Sequence, residues 1–287
     1  MKVLPDSIAV FGPGLMGGSL LMALRQRAPQ VRLGAWARKA EAFAELESRG
    51  LADFGGIDAA EVAAEADLVV LCVPVDHMAQ VAGLIKGAVR PQTTVTDVGS
   101  VKLSVVESLE RCFAKHGNFI GSHPMCGSEE AGLAAASADL YAGAVCVVTP
   151  TAHSRPEAVE AVDTLWRTVG GRVVEMKPSD HDRAAALVSH VPHIVAALLV
   201  ELVGSGKPEF RALCAGGFRD TTRIASGSPD LWAGILSTNR AEVGSALGQL
   251  ENLVGDVRTA LENNDVARMR DLLASAAGHR SEILSAS

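Results

Sequence analysis

Several things are scarce in this 287-residue chain, and each scarcity excludes a class of protein. The five cysteines, Cys72, Cys112, Cys126, Cys146 and Cys214, are scattered, odd in number and without a CxxC pair. Such a pattern indicates neither a disulfide framework nor a zinc site, so no metal is expected, and it fits a reducing, cytoplasmic setting. Basic residues are outnumbered, 26 Lys and Arg against 33 Asp and Glu, and no basic run occurs, so nucleic acid is not an expected partner. The start, MKVLPDSIAVFG, lacks the charged region, long apolar segment and small-residue cleavage site of a signal peptide. The most apolar long stretch, residues 184–203, contains Ser189, His190, Pro192 and His193, which favours a buried helix over a membrane span. What the chain has in quantity is hydrophobic residues, 48%, enough for a sizeable core and too many for disorder. Its length suits two domains or one large one.

Through the first part of the chain, strand-like and helix-like segments alternate. Residues 7–11, 31–37, 67–73, 93–97, 118–121, 144–149 and 172–175 read as strands, and residues 15–27, 39–48, 76–86, 102–115 and 156–169 as helices. The run DLVVLCV at 67–73 is apolar throughout, as a strand covered on both faces must be. The alternation predicts an α/β fold with a doubly wound, mainly parallel sheet of Rossmann type. From Pro178 onward only helical patterning follows, at 180–203, 208–213, 229–236, 241–263 and 265–284. The change of pattern predicts two domains, a doubly wound α/β domain over 1–177 and an all-helical domain over 178–287. The helix from residue 180 is apolar nearly all round and contains Pro192, which costs about 3 kcal/mol in a helix interior. One small helical domain can hardly cover it, so a second subunit is expected to do so, giving a homodimer.

Seven motifs carry chemistry. GPGLMG follows the first strand and opens the first helix: Gly12 permits the tight turn, Gly14 lets the backbone approach a pyrophosphate, and Gly17 lets helix and strand pack closely. Leu15 and Met16 lie between them in the first helical turn and complete a dinucleotide-binding set; the alternative is a purely structural turn. The second strand ends in AWARK. No acid stands near Ala37 to hold a ribose 2′-hydroxyl, whereas Arg38 and Lys39 suit a 2′-phosphate, so NADP is preferred and NAD is the alternative. In CVPVDHM, Val73 and Pro74 are placed beside the ribose or nicotinamide half. In TDVGSVK, Ser100 lies where a strand gives way to a helix, as a hydrogen-bonding group at the crevice, as a helix N-cap, or as both. GSHPMCGSE, residues 121–129, sets His123 at a strand end, where ligands bind in such folds and where imidazole can accept a proton at working pH. In DHDRAAALVSHVPH, His190 and His193 are three apart and share a helix face, better read as the polar wall of a pocket than as a metal site. In GGFRDTTRIASGSPDLW, Arg219 and Arg223 are four apart; one of them facing a cleft could grip a carboxylate, and surface ion pairing is the alternative.

Taken together, GPGLMGGS, TDVGSVK, GSHPMCGSE, the SHVPH helix and FRDTTRIA resemble the prephenate/arogenate dehydrogenase family of tyrosine biosynthesis in order and approximate spacing, over about residues 7–240. The resemblance implies oxidative decarboxylation of a cyclohexadienyl substrate with hydride transfer to a nicotinamide cofactor. It implies that His123 takes the proton of the ring 4-hydroxyl, that Ser100 supports that hydroxyl and the histidine, and that Arg223 binds a substrate carboxylate. It implies further that His190 faces the substrate side chain and that Glu129 gates or polarises the site; Ser122 and His193 join the expected substrate-binding set. A homodimer through the helical domain is implied as well. Some members carry a fused mutase or a regulatory domain, for which a chain of this length is expected to lack room. The rivals are a β-hydroxyacid dehydrogenase of the 6-phosphogluconate type, disfavoured because His190 and His193 stand where that class has a catalytic lysine, and a non-catalytic dinucleotide sensor, disfavoured by the joint presence of His123, Ser100 and Arg223.

Overall fold

The computed structural model describes residues 4–114, 118–128 and 130–286. The chain divides into two compact units, Met1–Arg240 and Ala241–Ser287. The first runs β1 (Ser7–Phe11), α1 (Leu15–Arg27), β2 (Arg32–Trp36), α2 (Ala40–Ser48), β3 (Phe54–Gly56), α3 (Ala59–Glu65), β4 (Leu68–Leu71), α4 (Val75–Ile85), β5 (Thr94–Asp97), α5 (Leu103–Phe113), β6 (Asn118–Pro124), β7 (Val145–Thr149), α6 (Pro156–Thr168) and β8 (Arg172–Glu175). Helices follow: α7 (Pro178–Ala185), a π turn (Ala186–His190), α8 (Val191–Gly204), α9 (Pro208–Arg211), α10 (Gly216–Thr222), a 3₁₀ turn (Arg223–Ser226) and α11 (Pro229–Thr238). From the boundary onward the chain forms α12 (Arg240–Glu262) and α13 (Val266–Ala286), joined by a turn in which Asn264 has φ 49°. On these last two helices Leu253, Val254, Val257, Leu273 and Ile283 are exposed.

One eight-stranded sheet has the order β3-β2-β1-β4-β5-β6-β7-β8. Its first six strands are parallel and in the order of a dinucleotide-binding fold, with the connection reversing between β1 and β4. The exception to parallel pairing is β7, which runs antiparallel to β6 while β8 runs parallel to β7. The sheet is covered on both sides, and its central strands β1 and β4 are apolar almost throughout. Ile8, Val10, Leu68, Val70 and Ile120 point into one core with Leu20, Leu24 and Trp166. Their neighbours Ala9, Phe11, Val69, Leu71 and Phe119 point into the other with Val81, Val106 and Leu109. A period of two applied to a continuous apolar run gives two cores, one per face.

Four local features differ from the sequence expectation. Residues 49–66 suggested no element, yet they contain β3 and α3; β3 is three residues long with two glycines, too short for a periodicity to register. Asp58 caps α3, accepting from the backbone N–H groups of Ala60 and Glu61 at 2.9 and 3.1 Å, and is the signal that marks it. Strand β6 runs beyond Gly121 to Pro124, because pairing with β7 carries it through Ser122 and His123. Helix α7 begins at Pro178, two residues before the expected start at 180, with proline in its first turn.

The long apolar helix continues from α7 through the π turn into α8, and Pro192 is the second residue of α8, next to a turn where the regular hydrogen-bond ladder is already interrupted. Within this one chain Val188, Leu198 and Leu202 on it are 60–71% exposed. By length and hydropathy this is the one helix among the described residues that could cross a membrane. Its buried side, however, carries His181, Asp182, His190 and His193.

Candidate active site

The crevice where the sheet order reverses is built by the glycine loop. Gly12 has φ 99°, a conformation that a side chain strains, and a Cβ there would meet the Cys72 carbonyl at 2.6 Å. At Gly17 a Cβ would press on the Gly12 carbonyl and on Val10 Cγ1 at 2.8 Å, so only hydrogen allows α1 to lie this close to β1. A Cβ at Gly14 would meet nothing within 4 Å, so the backbone there is open to approach. Leu15 and Met16 open α1, whose first turn has no acidic residue to offset the positive end of its dipole. Beside the loop lies a cavity of about 560 Å³ whose lining includes Gly12, Gly14, Ala37, Arg38, Lys39, Val73 and Pro74. No Asp or Glu is in that lining. Open backbone at a helix start, cations at the end of β2 and an absence of acids fit a dinucleotide.

A second cluster stands at the ends of β5 and β6. Strand alternation sends Ser122 and His123 to opposite faces of the sheet. The Ser122 hydroxyl donates to the Asp97 carbonyl at 2.6 Å, receives the Trp166 indole N–H at 3.0 Å and lies 2.8 Å from Thr96 Oγ1, so it is bound into the sheet. His123, also buried, faces the other way, and its Nδ1 lies 2.8 Å from Nε2 of His181. His181 Nδ1 lies 2.8 Å from Oδ1 of Asp182. That carboxylate accepts the backbone N–H groups of Lys102 at 2.6 Å and Leu103 at 2.9 Å. Asp182, not Ser100, therefore satisfies the start of α5 and ties α7 to it.

Beneath this chain, Lys102 and Asp97 form an ion pair with no solvent exposure. Asp97 also accepts the N–H groups of Gly99 at 2.8 Å and Ser122 at 3.0 Å, and Lys102 Nζ donates to the Ser122 carbonyl at 2.8 Å. The pair thus joins the loop carrying Ser100 to the residue preceding His123. Burial draws the Lys102 ammonium below its ordinary pKa, against the opposing pull of Asp97.

The electrostatics of the cluster favour uncharged imidazoles. Burial holds His123 well below the usual histidine value, and repulsion from His181, Lys102 and His190 adds to the effect. His190 is fully buried and lowered to about 4 by desolvation, with the Asp182 charge and a hydrogen bond to the Ser100 backbone opposing. Its Nδ1 is 3.2 Å from Asn239 Nδ2, and Asn239 donates to the Asp182 carbonyl at 2.9 Å. His193 stacks on Trp232 with ring centroids 3.5 Å apart and planes 10° from parallel. The buried His190 Nε2 and His193 Nδ1 have no hydrogen-bond partner among the described residues.

The structure brings His123 and His190 together through His181, Asp182 and Asn239, and places Ser100 beside His190. Arg219 lies in α10 and Arg223 opens the following 3₁₀ turn, both exposed within the single chain. Glu129 lies outside the described residues. Sequence reasoning missed His181, Asp182, Asp97, Lys102 and Asn239. The signals were present: an Asp and a Lys five apart around a strand end in TDVGSVK, and a histidine between acids in DHD.

Two family models cover nearly the whole chain: the nucleotide-binding domain of prephenate dehydrogenase matches residues 20–175, and its dimerization domain matches residues 177–275. The chain belongs to the prephenate dehydrogenase family. Within its reach, the cyclohexadienyl dehydrogenase of Zymomonas mobilis is 33% identical over 90% of this chain and 89% of its own length. The prephenate dehydrogenase of Aquifex aeolicus, solved with hydroxyphenyl propionate and NAD+, is 29% identical, covers 99% of this chain and 100% of its own, and superposes with a TM-score of 0.91. Synechocystis arogenate dehydrogenase is 28% identical over 96% and 99% of the two chains, with a TM-score of 0.84. The family membership sets aside the β-hydroxyacid dehydrogenase and sensor readings.

Proposed function

We propose that this protein oxidatively decarboxylates prephenate, arogenate or both, giving 4-hydroxyphenylpyruvate or tyrosine, and that NADP is its preferred cofactor. The observation that carries the reading is His123: a buried imidazole, held uncharged, at a strand end beside the Ser100 loop in a member of this family. His123 accepts the proton of the ring 4-hydroxyl as the C4–H bond breaks; Ser100 supports that hydroxyl. The bound nicotinamide supplies the acceptor for the hydride. Carbon dioxide then leaves, its bonding electrons completing the aromatic ring, so the chain's main tasks are orientation and proton removal. Arg223 anchors a substrate carboxylate, His190, His193 and Trp232 wall the side-chain pocket, and Glu129 gates or polarises the site.

Support for NADP comes from the cavity lining, which offers Arg38 and Lys39 and no carboxylate to hold a ribose 2′-hydroxyl. Residues 1–177 act as the dinucleotide-binding domain and 178–287 as the substrate and dimerisation domain. The exposed apolar residues Val188, Leu198 and Leu202, on a helix within the matched dimerization model, support a homodimer. Five unbridged cysteines accord with a cytoplasmic enzyme.

The test is spectrophotometric: prephenate and arogenate, each with NADP+ and NAD+, followed at 340 nm. Turnover with at least one substrate and a lower KM for NADP+ is expected. No reduced cofactor with either substrate, under conditions where cofactor binds, would refute the function. Replacing Arg38 and Lys39 by Ala should raise the KM for NADP+ by roughly 10–100-fold, from the worth of charge-assisted hydrogen bonds, and leave NAD+ nearly unchanged; equal effects on both cofactors would refute the NADP assignment.

A further inference from the structure

We propose that His181 and Asp182 are positioning residues that hold His123 in the one neutral tautomer able to accept a proton at Nε2. The proposal rests on the reading of His123 as the proton acceptor. It follows from which atoms can donate.

Asp182 receives two backbone N–H groups, one on each oxygen, at the positive end of α5. Backbone amides only donate, so both carboxylate oxygens act as acceptors. Oδ1 also lies 2.8 Å from His181 Nδ1, which must therefore carry the hydrogen. Neutral imidazole has one N–H, so His181 Nε2 presents a lone pair. That lone pair lies 2.8 Å from His123 Nδ1, which must in turn carry a hydrogen. The acceptor on His123 is then Nε2, on the side of the ring away from His181. The tautomer is dictated from the start of a helix, through two side chains, to the reacting atom.

The charged and titratable groups facing His123 come from three elements: Lys102 at the start of α5, His181 on α7 and His190 in the π turn. Each is cationic when charged, so all of them favour an uncharged His123 in the resting enzyme. When the substrate proton reaches Nε2, the Nδ1 proton stays on His123, donated to His181, and the Asp182 charge steadies the imidazolium across one ring. The two backbone bonds of Asp182 would be made by a helix cap alone; the insertion of His181 between that cap and His123 is what a cap does not need. The arrangement is that of a base oriented by a third group, extended by one histidine.

The test uses the full chain labelled with ¹⁵N-histidine. Two-bond ¹⁵N–¹H correlations, with His123 assigned from the signal lost in His123→Asn, should show Nδ1 protonated and Nε2 bare. His181→Leu, which has no acceptor, should lower kcat by about 10²–10⁴-fold with KM for substrate and cofactor within about threefold, and His123 should then populate both tautomers. His181→Gln keeps a carbonyl acceptor and should recover part of the rate. The proposal fails if wild-type His123 carries its hydrogen on Nε2, if His181→Leu turns over within threefold of wild type, or if Leu and Gln variants lose kcat and cofactor affinity equally. A wild type with the stated tautomer that turns over neither substrate would overturn the function and leave the tautomer assignment standing.

Discussion

Replacing Lys102 by Met removes one half of an ion pair that has no contact with water. The carboxylate of Asp97 stays buried with two backbone donors, from Gly99 and Ser122, and no cation. Breaking a buried pair by removing one partner costs about 3–5 kcal/mol, because the survivor's charge is left uncompensated. For a protein of this size that corresponds to a fall in Tm of roughly 6–20 °C, at 2–4 °C per kcal/mol. Converting the survivor to an amide should restore much of the loss. In the double variant Asp97→Asn with Lys102→Met, the amide oxygen still accepts the Ser122 N–H and no charge remains, so a cost about 2 kcal/mol smaller than that of the single variant is expected. Acidification should shrink the penalty of Lys102→Met as well, since protonation discharges the orphaned carboxylate. The assay is urea and thermal unfolding of wild type, both single variants and the double, at one fixed protein concentration so that assembly contributes equally. A Lys102→Met cost below about 1 kcal/mol, or a double variant less stable than that single one, would refute the reasoning.

Two other outcomes follow from the site. Gly12→Ala places a methyl against the Cys72 carbonyl at a φ of 99°, and should weaken cofactor binding at least tenfold, measured by fluorescence titration, while far-UV circular dichroism is preserved. The acid limb of kcat/KM should lie below the ordinary imidazole value of about 6.5, because burial holds His123 uncharged; a limb at or above that value would contradict the stated environment. The same groups affect stability with a definite sign. His190, lowered to about 4, is neutral in the fold where an unfolded chain would already be protonated, so stability is complete above about pH 6.5 and is lost as pH falls toward 4. A His190→Gln variant should show a shallower loss over that window in urea titrations.

Much was determined by the sequence alone. The alternation of strands and helices, the glycine loop and the shift to helices after Glu175 are encoded by local pattern: apolar runs, a GxGxxG between strand and helix, and 3.6-residue spacing. Short-range physics sets these, so they can be read one segment at a time. His123, His190 and Arg223 stand out in the sequence because they sit in distinctive motifs. Tertiary structure decided what those motifs do. Only the pairing of β6 with β7 extends the strand through Ser122, which turns that residue away from His123 and into Trp166. Only the packing of α7 on the start of α5 puts Asp182 under two backbone amides and His181 against His123, residues 58 apart in sequence. Ser100 reads as a cap until Asp182, 80 residues beyond Lys102, is seen to take that place. Hydrogen-bond partners are chosen by proximity and burial across the fold, and the local pattern around DHD holds no record of which strand end it will meet.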